Sequence, residues 1–153
     1  MRSLERDMDN RAVFIDANIF IYFLDESSAK HKDVVKSLQA LVDNEHTLYT
    51  SHHVLEEVLF IVSKLVSKRS IVSVAVETIA TMPGLCLIEP VEDFEFIRRY
   101  SSLYQKSQVG INDALLLQLI IDGNIKKLFS YDKAFLKTAG SMGIGAVLKD
   151  EIK

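Results

Sequence analysis

The chain has 153 residues, of which 48% are hydrophobic and 25% are charged, and its formal net charge at pH 7 is −3. This size and composition are typical of one globular domain with a self-sufficient core. The acidic net charge excludes a global attraction to nucleic acid, so any such binding depends on local basic patches. The single cysteine, Cys86, excludes an intrachain disulfide and a four-cysteine zinc site.

The start of the chain and its apolar runs bear on localisation. The opening stretch MRSLERDMDN is polar and mixed in charge, which is not the pattern of a signal peptide. The longest apolar runs fall short of the roughly 20 residues that a membrane-spanning helix needs. We therefore expect a cytoplasmic protein without membrane contact, in which residues 1–11 are a polar N-terminal extension and residues 12–153 form one domain.

Strand-like and helix-like segments alternate along the chain. Short apolar runs predict strands at residues 12–15, 47–50, 85–88 and 127–131, and more weakly at 145–149. Apolar residues at helical spacing predict helices at residues 28–44, 51–68, 91–106 and 111–122, followed by a short helical stretch at 133–137. This alternation predicts an α/β fold with a mostly parallel sheet, whose ligand crevice lies at the carboxyl ends of the strands.

Four carboxylates stand where an apolar or neutral residue would be expected. Asp16 and Asp132 each follow directly on a predicted strand, so both belong to the carboxyl edge of the predicted sheet. Asp113 opens a predicted helix at the head of its apolar stripe. Glu57 lies among apolar residues of another helix, and periodicity alone does not separate it from Glu56.

Each of these acids also has a purely structural explanation. An aspartate between a strand and a helix is most often an N-cap, and an acid in the first turn suits the helix dipole. The structural explanation weakens when the four are taken together, because carboxylates that converge on one crevice repel one another. A divalent cation relieves that repulsion, and carboxylate and water ligands suit Mg²⁺ or Mn²⁺.

The segments around the four acids resemble the motifs of PIN domains, the nuclease fold of the VapC toxins of prokaryotic toxin–antitoxin pairs. FIDANIFIY has an aspartate after a hydrophobic strand and a polar residue two positions later. SHHVLEEVL has a serine six residues before the acid, a spacing that selects Glu57 over Glu56. GINDALLL places an acid at a helix start, and SYDKAF places an aspartate between a hydroxyl residue and an aromatic one. The resemblance covers nearly the whole chain after the first ten residues.

The resemblance implies a three-layer α/β/α sandwich and metal-dependent hydrolysis of RNA phosphodiester bonds. It implies that Mg²⁺ or Mn²⁺ is bound by four catalytic acids, namely Asp16, Glu57, Asp113 and Asp132. Asn18 and Ser130 are implied as supporting polar groups. The implied partners are an RNA substrate, a second copy of the chain and an antitoxin protein, as in a VapBC-type pair.

A partner surface is also expected from the helices themselves. Helices 29–44 and 52–68 carry more apolar residues than one core-facing stripe requires. The excess residues around the stripe include Phe60, Ile61, Val62 and Val66. Surplus apolar helix surface usually marks a binding site, so we expect a homodimer.

Other functions remain open at this point. The chain could be a PIN-like RNA-processing nuclease without a toxin role, or a non-catalytic PIN-like module that binds RNA or protein. The presence of all four acids argues against the second, because unused buried carboxylates cost stability. Response-regulator receivers and haloacid-dehalogenase-type phosphatases also combine strand-end aspartates with Mg²⁺. The phosphatase pattern has a second aspartate where this chain has Asn18, and the acidic pair and late lysine of the receiver are not clear here.

Overall fold

The computed structural model describes residues 10–91 and 93–147 of the chain. The strands of this part of the chain are β1 (Ala12–Ile15), β2 (Thr47–Thr50), β3 (Leu85–Leu87), β4 (Lys127–Phe129) and β5 (Gly145–Ala146). Its helices are α1 (Ala17–Leu24), α2 (His31–Asp43), α3 (His52–Leu65), α4 (Ser70–Ala80), α5 (Phe94–Lys106), α6 (Ile111–Asp122) and α7 (Lys133–Ser141).

The five strands form one sheet in the order β3-β2-β1-β4-β5, and all neighbouring strands are parallel. Helices cover the sheet in a three-layer α/β arrangement, which confirms the predicted fold class. The chain builds the sheet outward from β1 to β3 and then returns to the other side of β1 with β4. The carboxyl ends of β1 and β4 therefore lie at the point where the strand order reverses, the usual place for a ligand crevice in such folds.

The central strand explains why the opening run is purely apolar. Val13, Phe14 and Ile15 are fully buried, because β1 has a strand on each side and helices on both faces of the sheet. Leu48 in β2 and Leu128 in β4 are fully buried beside it. The pairing with β4 continues past the end of β1, where the Asp16 N–H donates to the Phe129 carbonyl oxygen at 3.1 Å.

The strand predictions are confirmed with small changes in length. The first two strands have the predicted bounds, and the third ends one residue early, at Leu87. The fourth ends at Phe129, which leaves Ser130 and Tyr131 in the loop after it. The fifth is a two-residue strand, and residues 148–149 of the prediction lie outside the described part of the chain, as do residues 1–9 of the predicted N-terminal extension.

Two helices were not predicted, three (α2, α3 and α5) were predicted too long by three or four residues, and α7 was predicted four residues too short. The run ANIFIYFL of α1 is almost entirely apolar, so it has no helical stripe for periodicity to detect. The run SIVSVAVETIA of α4 is rich in β-branched residues, which favour strands. The prediction for residues 51–68 merged α3 with the link to α4, whereas α3 ends at Leu65.

No helix of the described residues combines the length and apolar character that crossing a membrane requires.

Candidate active site

Asp16 is a buried carboxylate held from three sides. It is 7% exposed and forms the N-cap of α1, where Oδ1 accepts a hydrogen bond from the Ala17 N–H at 2.7 Å. Its Oδ2 accepts from Asn18 Nδ2 at 2.9 Å and from Ser130 Oγ at 2.5 Å. The N-cap role considered from the sequence is therefore real, and both predicted supporting residues bond to the same carboxylate.

Ser130 connects the ends of the two central strands. Besides donating to Asp16, its Oγ accepts hydrogen bonds from Asn18 Nδ2 and from the Asp132 N–H, each at 3.0 Å. The Tyr131 N–H donates to Asn18 Oδ1 at 3.0 Å. Asn18 thus uses both ends of its amide to join the start of α1 to the loop after β4, which fixes how the two strand ends face each other.

Asp132 also combines a cap with a free oxygen. It is the N-cap of α7, and its Oδ1 accepts hydrogen bonds from the Ala134 and Phe135 N–H groups at 2.9 and 3.0 Å. Both cap bonds use the same oxygen, so Oδ2 remains available to a ligand as far as the described residues are concerned. The structural explanation of this aspartate and a ligand-binding role are compatible.

Two helices bring the remaining acids. Asp113 stands in the first turn of α6 and is half-buried, behind an N-cap formed by Gly110. Glu57 lies in the second turn of α3. That helix begins at Ser51, whose Oγ accepts a hydrogen bond from the Val54 N–H at 3.2 Å. The serine that precedes Glu57 by six residues is therefore the N-cap that sets where α3 begins.

The two neighbouring glutamates of α3 have different surroundings. The Glu56 carboxylate lies 3.5 Å from His52 Nε2, and the side chain is 66% exposed. Glu57 is an exposed residue whose carboxyl group is nevertheless partly shielded from water. This desolvation and the charge of Asp16 raise the Glu57 pKa, while His53 lowers it. Glu57 is thus the one of the pair that is electrostatically coupled to Asp16, in agreement with the motif.

The electrostatics join the four acids into one group. Burial raises the pKa of Asp113 to about 6, with further contributions from the charges of Asp132, Asp16 and Glu57. Burial also raises the pKa of Asp16, and so does the charge of Asp132, although the hydrogen bonds from Ser130, Ala17 and Asn18 act in the opposite direction. Four side chains from distant parts of the sequence therefore lie within one another's field at the carboxyl edge of the sheet.

The donor chemistry of this group suits a hard divalent cation, since all four side chains offer carboxylate oxygens. No three His, Cys, Asp or Glu side chains within residues 10–91 and 93–147 stand close enough to hold one metal ion together. Mg²⁺ usually keeps several waters and binds one or two protein carboxylates directly. The residues therefore fit a partly hydrated ion better than a cage made of four carboxylates.

Some residues of the site region were not identified from the sequence. Thr50, fully buried at the end of β2, donates from Oγ1 to the Ile15 carbonyl oxygen at 3.1 Å and ties β2 to the last residue of β1. A polar residue at the end of an apolar strand, as in TLYT, is a signal that could have found it. Glu89 accepts from the His52 N–H at 3.1 Å, but its distance in sequence gives no comparable signal.

The fold and the site together define the class of protein. It is an α/β protein with a parallel sheet and a group of interacting acids at the carboxyl ends of the central strands, where the strand order reverses. The PIN domain family matches residues 13–141, which is most of the chain. The chain belongs to the PIN domain family, as its motifs predict.

Known proteins similar to this chain carry VapC names. Ribonuclease VapC1 of Aquifex aeolicus is 26% identical over 129 residues, which are 84% of this chain and 86% of that protein. VapC20 of Mycobacterium tuberculosis, described as a sarcin-ricin loop cleaving toxin, has 16% identity and a TM-score of 0.63 over 86% of this chain and 95% of its own. VapBC2 from Rickettsia felis, bound to a promoter DNA fragment, has 21% identity and a TM-score of 0.65 over 89% of this chain and 97% of its own. The two solved structures establish a common fold.

Proposed function

We propose that this protein is a metal-dependent ribonuclease that hydrolyses RNA phosphodiester bonds and acts in the cytoplasm as the toxin of a VapBC-type pair. Its catalytic and metal-binding acids in this proposal are Asp16, Glu57, Asp113 and Asp132, with Asn18 and Ser130 as positioning residues. The support comes from membership of the PIN domain family and from a relative named as a ribonuclease. VapC20 and VapBC2 add support from the fold.

The observation that most supports this proposal is the raised pKa of Asp113, which lies among three other carboxylates. Its pKa is raised to about 6 by burial and by three other carboxylates that come from different elements of the fold. A folded protein gains nothing from crowding acids in this way, and the crowding becomes favourable when a cation is bound among them. Functional sites are where such perturbed groups collect.

The chemistry follows from the residue types. A bound Mg²⁺ or Mn²⁺ supplies charge neutralisation at the phosphate and a water of lowered pKa. Asp16 is held at a fixed orientation by the Ala17 N–H, Asn18 and Ser130, and these bonds leave Oδ1 with one acceptor position for a ligand. The pKa of Asp113 is about 6 without metal, so a proton and a metal ion compete for this carboxylate just below neutral pH.

A toxin requires a surface for its antitoxin, and a groove supports this part of the proposal. A cavity of about 660 Å³ lies between α1, α3 and α4 and is lined largely by apolar side chains, among them Leu24, Val62, Leu65, Ile71 and Val74. Leu65 and Val74 are 74% and 62% exposed and line the same groove, and contiguous exposed apolar surface of this kind marks interaction sites. We propose this groove as the binding surface of an antitoxin segment.

The test is cleavage of a panel of structured and single-stranded RNAs by the purified chain with Mg²⁺ or Mn²⁺, against the same reactions with EDTA. Asp113→Asn should abolish cleavage, because it removes the acid most strongly coupled to the others. Glu95→Gln is a matched control, since Glu95 is also a first-turn acid but is exposed and forms an ion pair with Arg98. Activity that persists in EDTA would refute metal dependence.

The alternative is a PIN module that binds RNA without cleaving it. The specific observation in its favour is that no three acids of the described residues stand close enough for a shared metal ion. RNA binding that is equal with and without metal, together with no cleavage in any condition, would support this alternative.

A further inference from the structure

A cavity of about 570 Å³ borders the acidic site on the side of β4 and β5. It lies between the start of α2 and the loop after β4, and Ser130 belongs both to its wall and to the hydrogen-bond set of Asp16. None of the four acids lines this cavity, and Ser130 is the lining residue that connects it to them, through its hydrogen bond to Asp16. A substrate bound at the acids would reach the cavity with its neighbouring group.

Lys30, a lining residue of this cavity, places its ammonium group over the rings of Tyr131, which also lines the cavity, and of Tyr22. Tyr22 and Tyr131 meet edge to face, with ring centroids 5.5 Å apart and an interplanar angle of 84°. Lys30 Nζ lies 4.6 Å from the Tyr22 centroid and 4.4 Å from the Tyr131 centroid. Its hydrogen bond to the Tyr22 hydroxyl is long, at 3.4 Å, and Lys30 is exposed.

Within residues 10–91 and 93–147 no carboxylate pairs with this ammonium group. A cation–π contact at an exposed site is a weak interaction. A charge-assisted hydrogen bond to a phosphate oxygen is stronger, so Lys30 is free to leave the rings when an anion arrives. A ring face that Lys30 uncovers is then open to a planar group.

The rest of the wall offers the other parts of a nucleotide site. A second lysine, Lys36, and one acid, Asp33, line the same cavity and are exposed, so its charged lining residues are two lysines and one carboxylate. The apolar wall is formed by Phe129, Leu136 and Val147. Two lysines outnumber the one carboxylate in this lining, which favours a phosphate, and the aromatic and aliphatic surface suits the base of a nucleotide.

We propose that this cavity is the subsite for one nucleotide of single-stranded RNA next to the phosphate that is cleaved. The base lies against Tyr131, and Lys30 and Lys36 bind the adjoining phosphate. This inference rests on the proposed ribonuclease function and adds to it the residues that receive the neighbouring nucleotide, whose base reaches an aromatic ring only when it is unstacked from its neighbours.

The test measures the affinity of a labelled single-stranded RNA by fluorescence anisotropy in EDTA, where hydrolysis does not interfere. Tyr131→Leu should weaken binding roughly five- to a hundredfold, since stacking on one aromatic ring is worth about 1–3 kcal/mol. Tyr131→Phe keeps the ring and should bind like the parent. Lys30→Gln should weaken binding and flatten its salt dependence by roughly 0.7 in slope for one lost phosphate contact.

Lys64→Gln is the matched control for Lys30→Gln. Lys64 also lies over an aromatic ring, with Nζ 5.3 Å from the Phe60 centroid, but it stands in the last turn of α3 and does not line the cavity. Its replacement should leave RNA affinity within about twofold of the parent. A loss as large as that of Lys30→Gln would mean that unspecific charge, and not the cavity, holds the RNA, which overturns the proposal.

A second measurement locates the base. The measurement uses a set of oligonucleotides in which each member lacks the base at a different position. The parent protein should bind one member of the set more weakly than the intact oligonucleotide, whereas Tyr131→Leu should bind that member and the intact oligonucleotide equally well. Parent-like affinity in both Tyr131→Leu and Lys30→Gln, or no RNA binding by the parent, would overturn the subsite. If the positional effect holds but no metal gives cleavage, the ribonuclease function fails and the RNA subsite stands, so the two failures are distinguishable.

Discussion

Ser130 Oγ donates a 2.5 Å hydrogen bond to Asp16 Oδ2, although the two residues are 114 positions apart in sequence. The bond joins the ends of β1 and β4, the two strands between which the sheet reverses its order. Because the same hydroxyl accepts from Asn18 and from the Asp132 N–H, one serine orients three groups of the acidic site. The geometry of the site therefore depends on Ser130 as much as on the acids.

Ser130→Ala should lower both stability and activity. The substitution leaves Asp16 Oδ2 with only the Asn18 bond and raises the Asp16 pKa further, since the Ser130 bond lowers it. We expect a loss of about 1–3 kcal/mol in the free energy of unfolding, the usual cost of a buried polar group that loses its partner. Urea denaturation at neutral pH and RNA cleavage rates measure the two effects.

The control for that experiment is Ser141→Ala. Ser141 is exposed and donates only to the Thr138 carbonyl oxygen in its own helix, at 2.6 Å. Its removal should change stability by no more than about 0.5 kcal/mol. Equal losses in the two variants would show that the bond between Ser130 and Asp16 contributes nothing specific.

The two glutamates of α3 should behave differently. Glu57→Gln should abolish RNA cleavage and leave the circular dichroism spectrum unchanged, because its carboxyl is coupled to Asp16 and Asp113 but does not hold the fold together. Glu56→Gln should leave the rate nearly unchanged, since that side chain is 66% exposed and contacts His52. If Glu56→Gln abolished cleavage and Glu57→Gln did not, Glu56 and not Glu57 would be the glutamate of the active site.

Metal should stabilise the protein. At a metal concentration about 100 times Kd, binding to the folded state alone adds about 2.7 kcal/mol, which raises Tm by roughly 5–10 °C for a domain of this size. The double variant Asp16→Asn, Asp113→Asn should lose this increment, whatever its own Tm is. Scanning fluorimetry with increasing Mn²⁺ or Mg²⁺ measures it, and a Tm that stays constant up to millimolar metal would contradict the site.

The sequence predicted the fold class because its strands carry a direct signal. The run AVFI is apolar throughout, as a central strand buried on both faces must be, and Asp16 ends it abruptly. The positions of the acids were predictable for a related reason: the carboxyl ends of parallel strands meet at one edge. The choice of Glu57 over Glu56 needed the spacing from Ser51, because the apolar residues around both gave no clear helical face.

The remaining features arise from tertiary packing. Ser130 and Asn18 were singled out by motif, but the hydrogen bond that gives Ser130 its role spans the fold. Lys30, Tyr22 and Tyr131 come from three different segments, and no local pattern shows that they meet. The helix α4 was not predicted because β-branched residues favour strands, and its packing on α3 overrides that preference.

A homodimer is the expected state in solution. The sequence predicted surplus apolar residues on α3, including Phe60 and Val62. Phe60 is exposed, but Val62 is buried in the core and is therefore not available to a second copy. A second apolar set surrounds α5, where Phe94 is 76% exposed. We expect Phe94→Lys to give a monomer, and Leu65→Lys to leave the dimer intact, because Leu65 belongs to the groove proposed for the antitoxin segment. Light scattering at tens of micromolar measures this, and a monomeric parent would contradict it.

The metal-free protein should become more stable as the pH falls from neutral toward 4. Asp113 has a folded pKa of about 6 against an ordinary value of 3.8, and the pKa values of Asp16 and Glu57 are raised as well. Groups with raised folded pKa values bind more protons in the native state than in the unfolded chain. Their contribution to stability is therefore fully present below the unfolded pKa and is lost as the pH rises through the folded pKa.

The measurement is urea denaturation in EDTA at several pH values between about 4 and 8, which spans the folded and unfolded pKa values. Asp113→Asn should flatten the rise on acidification, because it removes the most shifted group and relieves the repulsion on Asp16 and Glu57. With added Mn²⁺ the protein should instead lose stability as the pH falls, because protons compete with the metal for the same oxygens and weaken metal binding at low pH. If the stability of the metal-free parent only declines on acidification, and Asp113→Asn follows it at every pH, the acids do not repel one another and the electrostatic basis of the metal site is wrong.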